Sequence, residues 1–181
     1  LELIRKLFED RAKRDGIQLC LVQSYREDLT DTVFRLTHGL GAEDVIVAVG
    51  TEEAIHTGQA LVSRGGVLNL FGGLPRGKEH VTLDTQLIHY REINVTGSSG
   101  GYSWDMAHTM ELIASGNIQP AAHITRIGDL EHAPYLLKMI KAKTIDGKAI
   151  VYPHRISSSI LNVSQWTAED ERSYLVEYSI G

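Results

Sequence analysis

The sequence predicts an α/β protein built on a parallel, doubly wound sheet, and three observations carry that expectation. Helix-period and strand-like apolar segments alternate along most of the chain. The strand-like runs, such as Val45-Ile46-Val47-Ala48-Val49-Gly50, are apolar in succession, the pattern of a strand with helices over both faces. Each switch is punctuated by glycine or a capping residue, and repeated strand-helix-strand units of this length imply right-handed crossovers between parallel neighbours.

The chain opens inside a helical pattern, with Leu3, Ile4, Leu7 and Phe8 on one face, and runs down to Asp15-Gly16, where glycine accepts the left-handed conformation that ends a helix. Ile17 to Val22 reads as a short buried strand. Leu29, Val33 and Leu36 then repeat at helical spacing, with Asp28 and Asp31 near the positive N-terminal end and Gly39 beyond the last turn. After the strand at 45–50, Thr51 is placed to cap a helix whose inward face is Ala54, Gly58, Leu61 and Val62. Gly65-Gly66 is expected to end that helix, and Val67 to Phe71 to form a strand that stops at Gly72-Gly73-Leu74-Pro75. Beyond a polar excursion, Ile93 to Thr96 is a further strand, broken at Gly97-Ser98-Ser99-Gly100-Gly101.

Met106, Met110, Ile113 and Ala114 mark a helix closed by Gly116. A last helix through Leu130, Ala133, Leu137 and Ile140 leads to a strand at Ala149 to Tyr152, with Pro134 in its first turn, where a missing N–H costs nothing. From 156 the texture changes: Ser157-Ser158-Ser159 starts a tail in which Trp166, Tyr174, Leu175 and Tyr178 supply an apolar face. Thr167-Ala168-Glu169-Asp170 has the spacing of a capping box. The tail reads either as an arm docked on its own domain or as a cover for a cleft or an oligomer interface.

Composition bounds the function. At 181 residues and 43% hydrophobic, the chain can build a core. A formal net charge of -5 and the absence of any dense Lys/Arg block argue against nucleic acid as a partner. A single cysteine, Cys20, allows no internal disulfide, and no apolar run approaches the roughly 20 residues of a membrane span, so the expected setting is cytoplasmic. The N-terminus lacks the basic-then-apolar order of a signal peptide. Because the chain starts at Leu1 inside a helical pattern, the expectation is a portion of a longer protein.

In an open parallel sheet, ligands bind where the strands end, because the turns diverge there and helix N-termini point into the gap. Three strand ends carry small residues: Ala48-Val49-Gly50, Gly72-Gly73-Leu74 and Gly97-Ser98-Ser99-Gly100-Gly101. Small side chains let a flat ring lie against backbone, while free N–H and C=O groups can hold a carboxamide. Against this stands the reading that the glycines are turn residues only.

The order Gly41-Ala42-Glu43-Asp44-Val45-Ile46-Val47-Ala48-Val49-Gly50, Gly65-Gly66-Val67 to Phe71-Gly72-Gly73-Leu74-Pro75, Gly97-Ser98 and Gly116-Asn117-Ile118-Gln119-Pro120, closed by Asp146-Gly147-Lys148-Ala149-Ile150, resembles the second half of the medium-chain, zinc-type alcohol and polyol dehydrogenases. Within that family it resembles sugar-phosphate and polyol reductases of the sorbose 1-phosphate reductase type, on Asn69-Leu70-Phe71-Gly72-Gly73, Gly97 to Gly101 and the tail 166–175. The resemblance implies a partial dinucleotide-binding domain of the Rossmann type over residues 1–101. Residues 102–181 would then be a segment returning to a catalytic domain, with exposed apolar surface over 102–155 and a homo-oligomeric parent. It implies NAD or NADP as cofactor, zinc in the parent enzyme, and a small polyol or sugar phosphate as substrate. By the same resemblance, Ala48, Val49 and Gly50 would flank the adenine-ribose side, and Gly72, Gly73 and Leu74 the nicotinamide. Backbone at Ser98 and Ser99 would hold the carboxamide, and Lys148 would lie near the pyrophosphate.

The sequence also departs from that family. No G-x-G-x-x-G phosphate turn is present, and the acidic residue that would bind ribose hydroxyls belongs just before the first helix, so NAD and NADP are not separated. With one cysteine, and eight histidines lacking the spacing of a helical metal pair, this chain assembles no zinc site of the family's kind. The fingerprint is therefore expected upstream of Leu1, and a Cys- and His-bearing region upstream again. This polypeptide by itself is expected to be inactive. A non-catalytic nucleotide-binding module and a purely structural α/β module remain the alternatives.

Overall fold

The computed structural model describes residues 1–176. The chain divides into two compact units, Leu1–Gly101 and a second that starts at Tyr102. Among the described residues no helix is long and apolar enough to cross a membrane.

The first unit opens with α1 (Glu2–Arg14), followed by Gly16 at φ +67, the left-handed position expected there. Next comes α2 (Leu29–Leu36), where the Asp28 side chain accepts from Asp31 N–H at 2.9 Å. β1 (Ala42–Val47) leads to α3 (Glu52–Leu61), capped by Thr51 Oγ1, which accepts from Ala54 N–H at 3.2 Å. Then follow β2 (Val62–Leu70), α4 (Thr85–Arg91) and β3 (Asn94–Gly97). The three strands form one parallel sheet in the order β1-β2-β3. Its core is Val47, Ile55, Val62, Leu68 and Ile93, with Leu70, Leu74 and Leu87 packed against it. Gly58 lets α3 lie close to the sheet, since a Cβ there would sit 2.7 Å from the Val47 side chain.

Four expectations for this unit are corrected. Ile17–Val22 takes no strand pairing, although all its residues but Gln18 are apolar. A strand needs a neighbour, and no described segment pairs with these residues. α3 passes directly into β2 at Val62, so Gly65-Gly66 does not end a helix. Instead it makes an irregularity within β2, where the register moves from Ala42↔Val62 to Asp44↔Val67. The apolar run in β1 is covered by α3, whose Gly58 meets Val45 and Val47, while Ile46 between them stays 68% exposed in this chain. Finally, the polar stretch after Pro75 contains α4, started by Asp84, whose side chain accepts from Leu87 N–H at 2.9 Å.

The second unit comprises α5 (Ser103–Ala114), a 3₁₀ turn at Pro120–His123, β4 (Ile124–Asp129), α6 (Ala133–Lys141), β5 (Lys148–Tyr152), β6 (Leu161–Asn162) and α7 (Ala168–Val176). Its strands form a separate sheet, β5-β4-β6, in which β4 and β5 run parallel and β6 antiparallel. β5, the strand expected at 149–152, therefore does not join the first sheet. β4 is an element that the sequence pattern did not announce, six residues long and directly before the helix expected from Leu130. Leu130 lies outside α6, and Leu137 and Ile140 are exposed; Leu136 is the buried residue of that helix.

The tail docks on this unit. α7 starts with the anticipated capping box, in which Asp170 N–H donates to Thr167 Oγ1 at 3.1 Å and Thr167 N–H to Asp170 Oδ2 at 2.8 Å. Trp166 and Tyr174 complete a core with Ile127. Trp166 Nε1–H donates to Tyr152 Oη at 2.8 Å, and the Tyr152 hydroxyl donates to Glu171. The Arg155 guanidinium stacks over the Tyr174 ring and donates to its carbonyl. Tyr178, expected on the same apolar face, lies outside the described residues. Tyr102, Trp104, Met106 and Met110 on and before α5 are exposed, the apolar surface anticipated for this stretch.

Candidate functional site

The C-terminal edge of the first sheet is where the strand ends anticipated as a site meet. β1 and β2 interlock there through backbone. Phe71 N–H and Gly72 N–H both donate to the Val47 carbonyl, at 3.1 and 2.7 Å. A Cβ on Gly72 would lie 2.7 Å from the backbone of Ala48 and Val49, and one on Gly50 would lie 1.9 Å from the Gly73 carbonyl oxygen. Only glycine satisfies contacts this short, because the opposing atoms are backbone and cannot rotate away. These two glycines are thus more than turn residues: they close β1 against β2. Gly73, by contrast, faces open space, with nothing within 4 Å of a Cβ built on it.

The positions split into anchors and surface. Gly50, Gly72 and Leu74 are half-buried, and the Leu74 side chain packs against the core. Ala48, Val49, Gly73, Ser98 and Ser99 are exposed. Ser98 is tied to β2, its N–H donating to the Leu70 carbonyl at 3.2 Å. Two recesses adjoin this edge. One, of about 820 Å³, lies among Ala48, Val49, Thr51, the start of α2 and the flank of α3. The other, of about 460 Å³, is lined by Gly50, Thr51, Leu74, Pro75, Lys78 and His80. Lys148, the remaining expected site residue, opens β5 in the second unit with its side chain exposed.

Two side-chain networks escaped sequence reasoning. At the strand ends, Asn69 Nδ2–H donates to Thr96 Oγ1 at 3.1 Å and Ser98 Oγ–H donates to Asn69 Oδ1 at 2.9 Å. Their alignment depends on the β2-β3 register, in which Asn69 faces Thr96, so no local pattern announces it. In the second unit the buried Asp129 carboxylate accepts from Ser157 N–H at 2.6 Å and from His132 N–H at 3.1 Å, and lies 2.6 Å from His132 Nδ1. The Ser157 N–H, and after it the His132 bonds, hold its pKa below the ordinary 3.8. The i, i+3 spacing of Asp129 and His132 was a readable signal of this turn. Among the described residues no group of three His, Cys, Asp or Glu side chains is disposed to hold a metal ion.

The description zinc-binding dehydrogenase matches residues 9–115. The chain belongs to the zinc-binding dehydrogenase family. It is 34% identical over 145 residues to mannitol-1-phosphate 5-dehydrogenase of Aliivibrio fischeri, an alignment covering 79% of this chain and 34% of the relative. It is 32% identical over 104 residues to L-sorbose 1-phosphate reductase of Klebsiella pneumoniae, covering 57% of this chain and 25% of that one. This zinc-binding dehydrogenase chain thus spans about a third or less of the length of these two relatives. Among solved structures, an alcohol dehydrogenase of Aeropyrum pernix superposes with a TM-score of 0.65 at 19% identity, over 83% of this chain and 45% of that chain. A Sinorhizobium meliloti 1021 protein described as a zinc-binding dehydrogenase and bound to NADP gives 0.65 at 24% identity, over 79% and 42%. At these identities the two structures establish the fold alone: a mixed α/β architecture with a parallel sheet.

Proposed function

We propose that this chain supplies the nicotinamide-facing part of an NAD(P)-dependent dehydrogenase that interconverts an alcohol of a polyol or sugar phosphate and its carbonyl by hydride transfer. The observation that carries the reading is the strand-end edge, where Gly50 and Gly72 close backbone against backbone and leave Gly73 facing open space. A planar ring can approach such a surface without meeting a side chain, and the exposed backbone of Ser98 and Ser99 lies on the next strand end. Ala48 and Val49 would then border the ribose side, Gly72 to Leu74 the ring, and Ser98 and Ser99 the carboxamide. The cofactor provides the hydride; the residues of this chain bind and orient it. Mannitol 1-phosphate and sorbose 1-phosphate in the names of the relatives favour a phosphorylated sugar alcohol as the substrate class.

Zinc does not fit the described residues, which gather no three ligands and leave Cys20 exposed. In this reading the zinc of the parent enzyme would be held by residues outside those described. Homo-oligomerisation of the parent would cover the exposed apolar residues of α5.

Titration of the intact protein with NADH and NADPH, read by nicotinamide fluorescence, tests the reading. Saturable binding of one dinucleotide is expected, with Gly73→Val abolishing it while leaving the unfolding midpoint near that of wild type. Absence of binding by either dinucleotide, or full binding by the Gly73→Val protein, refutes the assignment.

A further inference from the structure

We propose that Asn69 is a positioning residue for the nicotinamide end of the cofactor, acting through Ser98; the inference rests on the NAD(P) reading above. β2 and β3 stop pairing at Leu70↔Gly97, and beyond that point the chain runs through Ser98-Ser99-Gly100-Gly101, all exposed. A glycine-rich segment of this kind explores many backbone conformations, and a ligand that needs one of them loses affinity by ordering it. Asn69 restrains it. Its amide spans the strand end, donating to Thr96 Oγ1 at 3.1 Å and accepting from Ser98 Oγ–H at 2.9 Å. Ser98 N–H separately donates to the Leu70 carbonyl at 3.2 Å, so Ser98 is held to β2 by both backbone and side chain. The next polar groups of the turn, the Ser98 carbonyl and the Ser99 N–H, therefore leave the sheet from a fixed point on the edge that carries Gly72 and Gly73. Asn69 needs no contact with the cofactor to do this.

Replacement chemistry separates positioning from bulk structure. Asn69→Leu keeps the volume and removes both bonds. Asn69→Asp keeps them, because the Thr96 and Ser98 hydroxyls can both donate to a carboxylate. The experiment measures calorimetric affinity, in the intact protein, for the dinucleotide that wild type takes and for the matching ADP-ribose, which lacks only the nicotinamide. Asn69→Leu is expected to weaken the dinucleotide about tenfold, the scale of two lost exposed hydrogen bonds. ADP-ribose affinity should stay near that of wild type, and Asn69→Asp should recover most of the loss. Unchanged dinucleotide affinity in Asn69→Leu, an equal loss for both ligands, or no recovery in Asn69→Asp overturns the inference while leaving cofactor binding in place. A wild-type protein that takes neither ligand overturns the cofactor reading and this inference with it.

Discussion

Substituting Gly50 by alanine tests the interlocked strand ends directly. The new Cβ would lie 1.9 Å from the Gly73 carbonyl oxygen and 2.7 Å from its carbon, where ordinary contact begins at 3.4 Å. Neither partner can rotate aside, so the end of β1 must move from β2 by more than an ångström. Bonds from Phe71 and Gly72 N–H to the Val47 carbonyl lie in that path. Overpacking of a fixed site costs about 1–3 kcal/mol, and one weakened backbone hydrogen bond adds about 1 kcal/mol, so a loss of about 3 kcal/mol is expected. For a unit of this size that corresponds to a fall in Tm on the order of 15 °C. Far-ultraviolet circular dichroism follows both units, whereas the two tryptophans, Trp104 and Trp166, both lie after residue 101 and read the second. Gly50→Ala should therefore move the dichroism transition more than the fluorescence transition. Gly73→Ala, which meets nothing within 4 Å, should hold stability within about 1 kcal/mol of wild type. A Gly50→Ala protein that melts with wild type, or a Gly73→Ala protein that melts as early as Gly50→Ala, would refute the close approach.

Two further outcomes concern the second unit. Burial, and then the bond to Glu171, push the Tyr152 hydroxyl up to about 12 from 10.0. The folded form therefore favours neutral Tyr152, a stabilisation fully present below pH 10 and lost as pH rises from 10 toward 12. Glu171→Gln should bring the Tyr152 tyrosinate absorbance step to lower pH, and an unshifted titration counts against the Tyr152–Glu171 contact. Asp129 has the opposite sign: its depressed pKa gives a stabilisation present above 3.8 that disappears as pH falls through the lower folded value. Asp129→Asn should destabilise at neutral pH and flatten that part of the acid limb. An acid limb as steep as that of wild type would show that another carboxylate carries it.

Much of the local structure was legible in single residues. Thr51 reads as a cap and Thr167 with Asp170 as a capping box from type and spacing, Asp28 reads as an acid near a helix N-terminus, and all three make side-chain cap bonds. Gly16 and Gly39 follow helices at positive φ, as their placement suggested. These features involve atoms within about five residues, so sequence alone encodes them. α4 and β4 were hidden because a two-turn helix and a six-residue strand ending in Gly-Asp carry too little periodicity.

What the sequence alone determined is the alternation of elements, their caps, and three small-residue strand ends in the order of a zinc-binding dehydrogenase. What tertiary structure decided is which of those residues matter to one another. The failure of Ile17–Val22 to pair and the splitting of the strands between two sheets depend on which neighbour is present, because strand hydrogen bonds are made between segments. Likewise, Gly50 and Gly72 differ from Gly73 only through backbone atoms some twenty residues away in the chain. Asn69 gains its place beside Thr96 and Ser98 only when β2 and β3 align in one register. Periodicity reports which face a residue occupies, but the distance across a sheet is set by packing, and packing is where the candidate site acquires its shape.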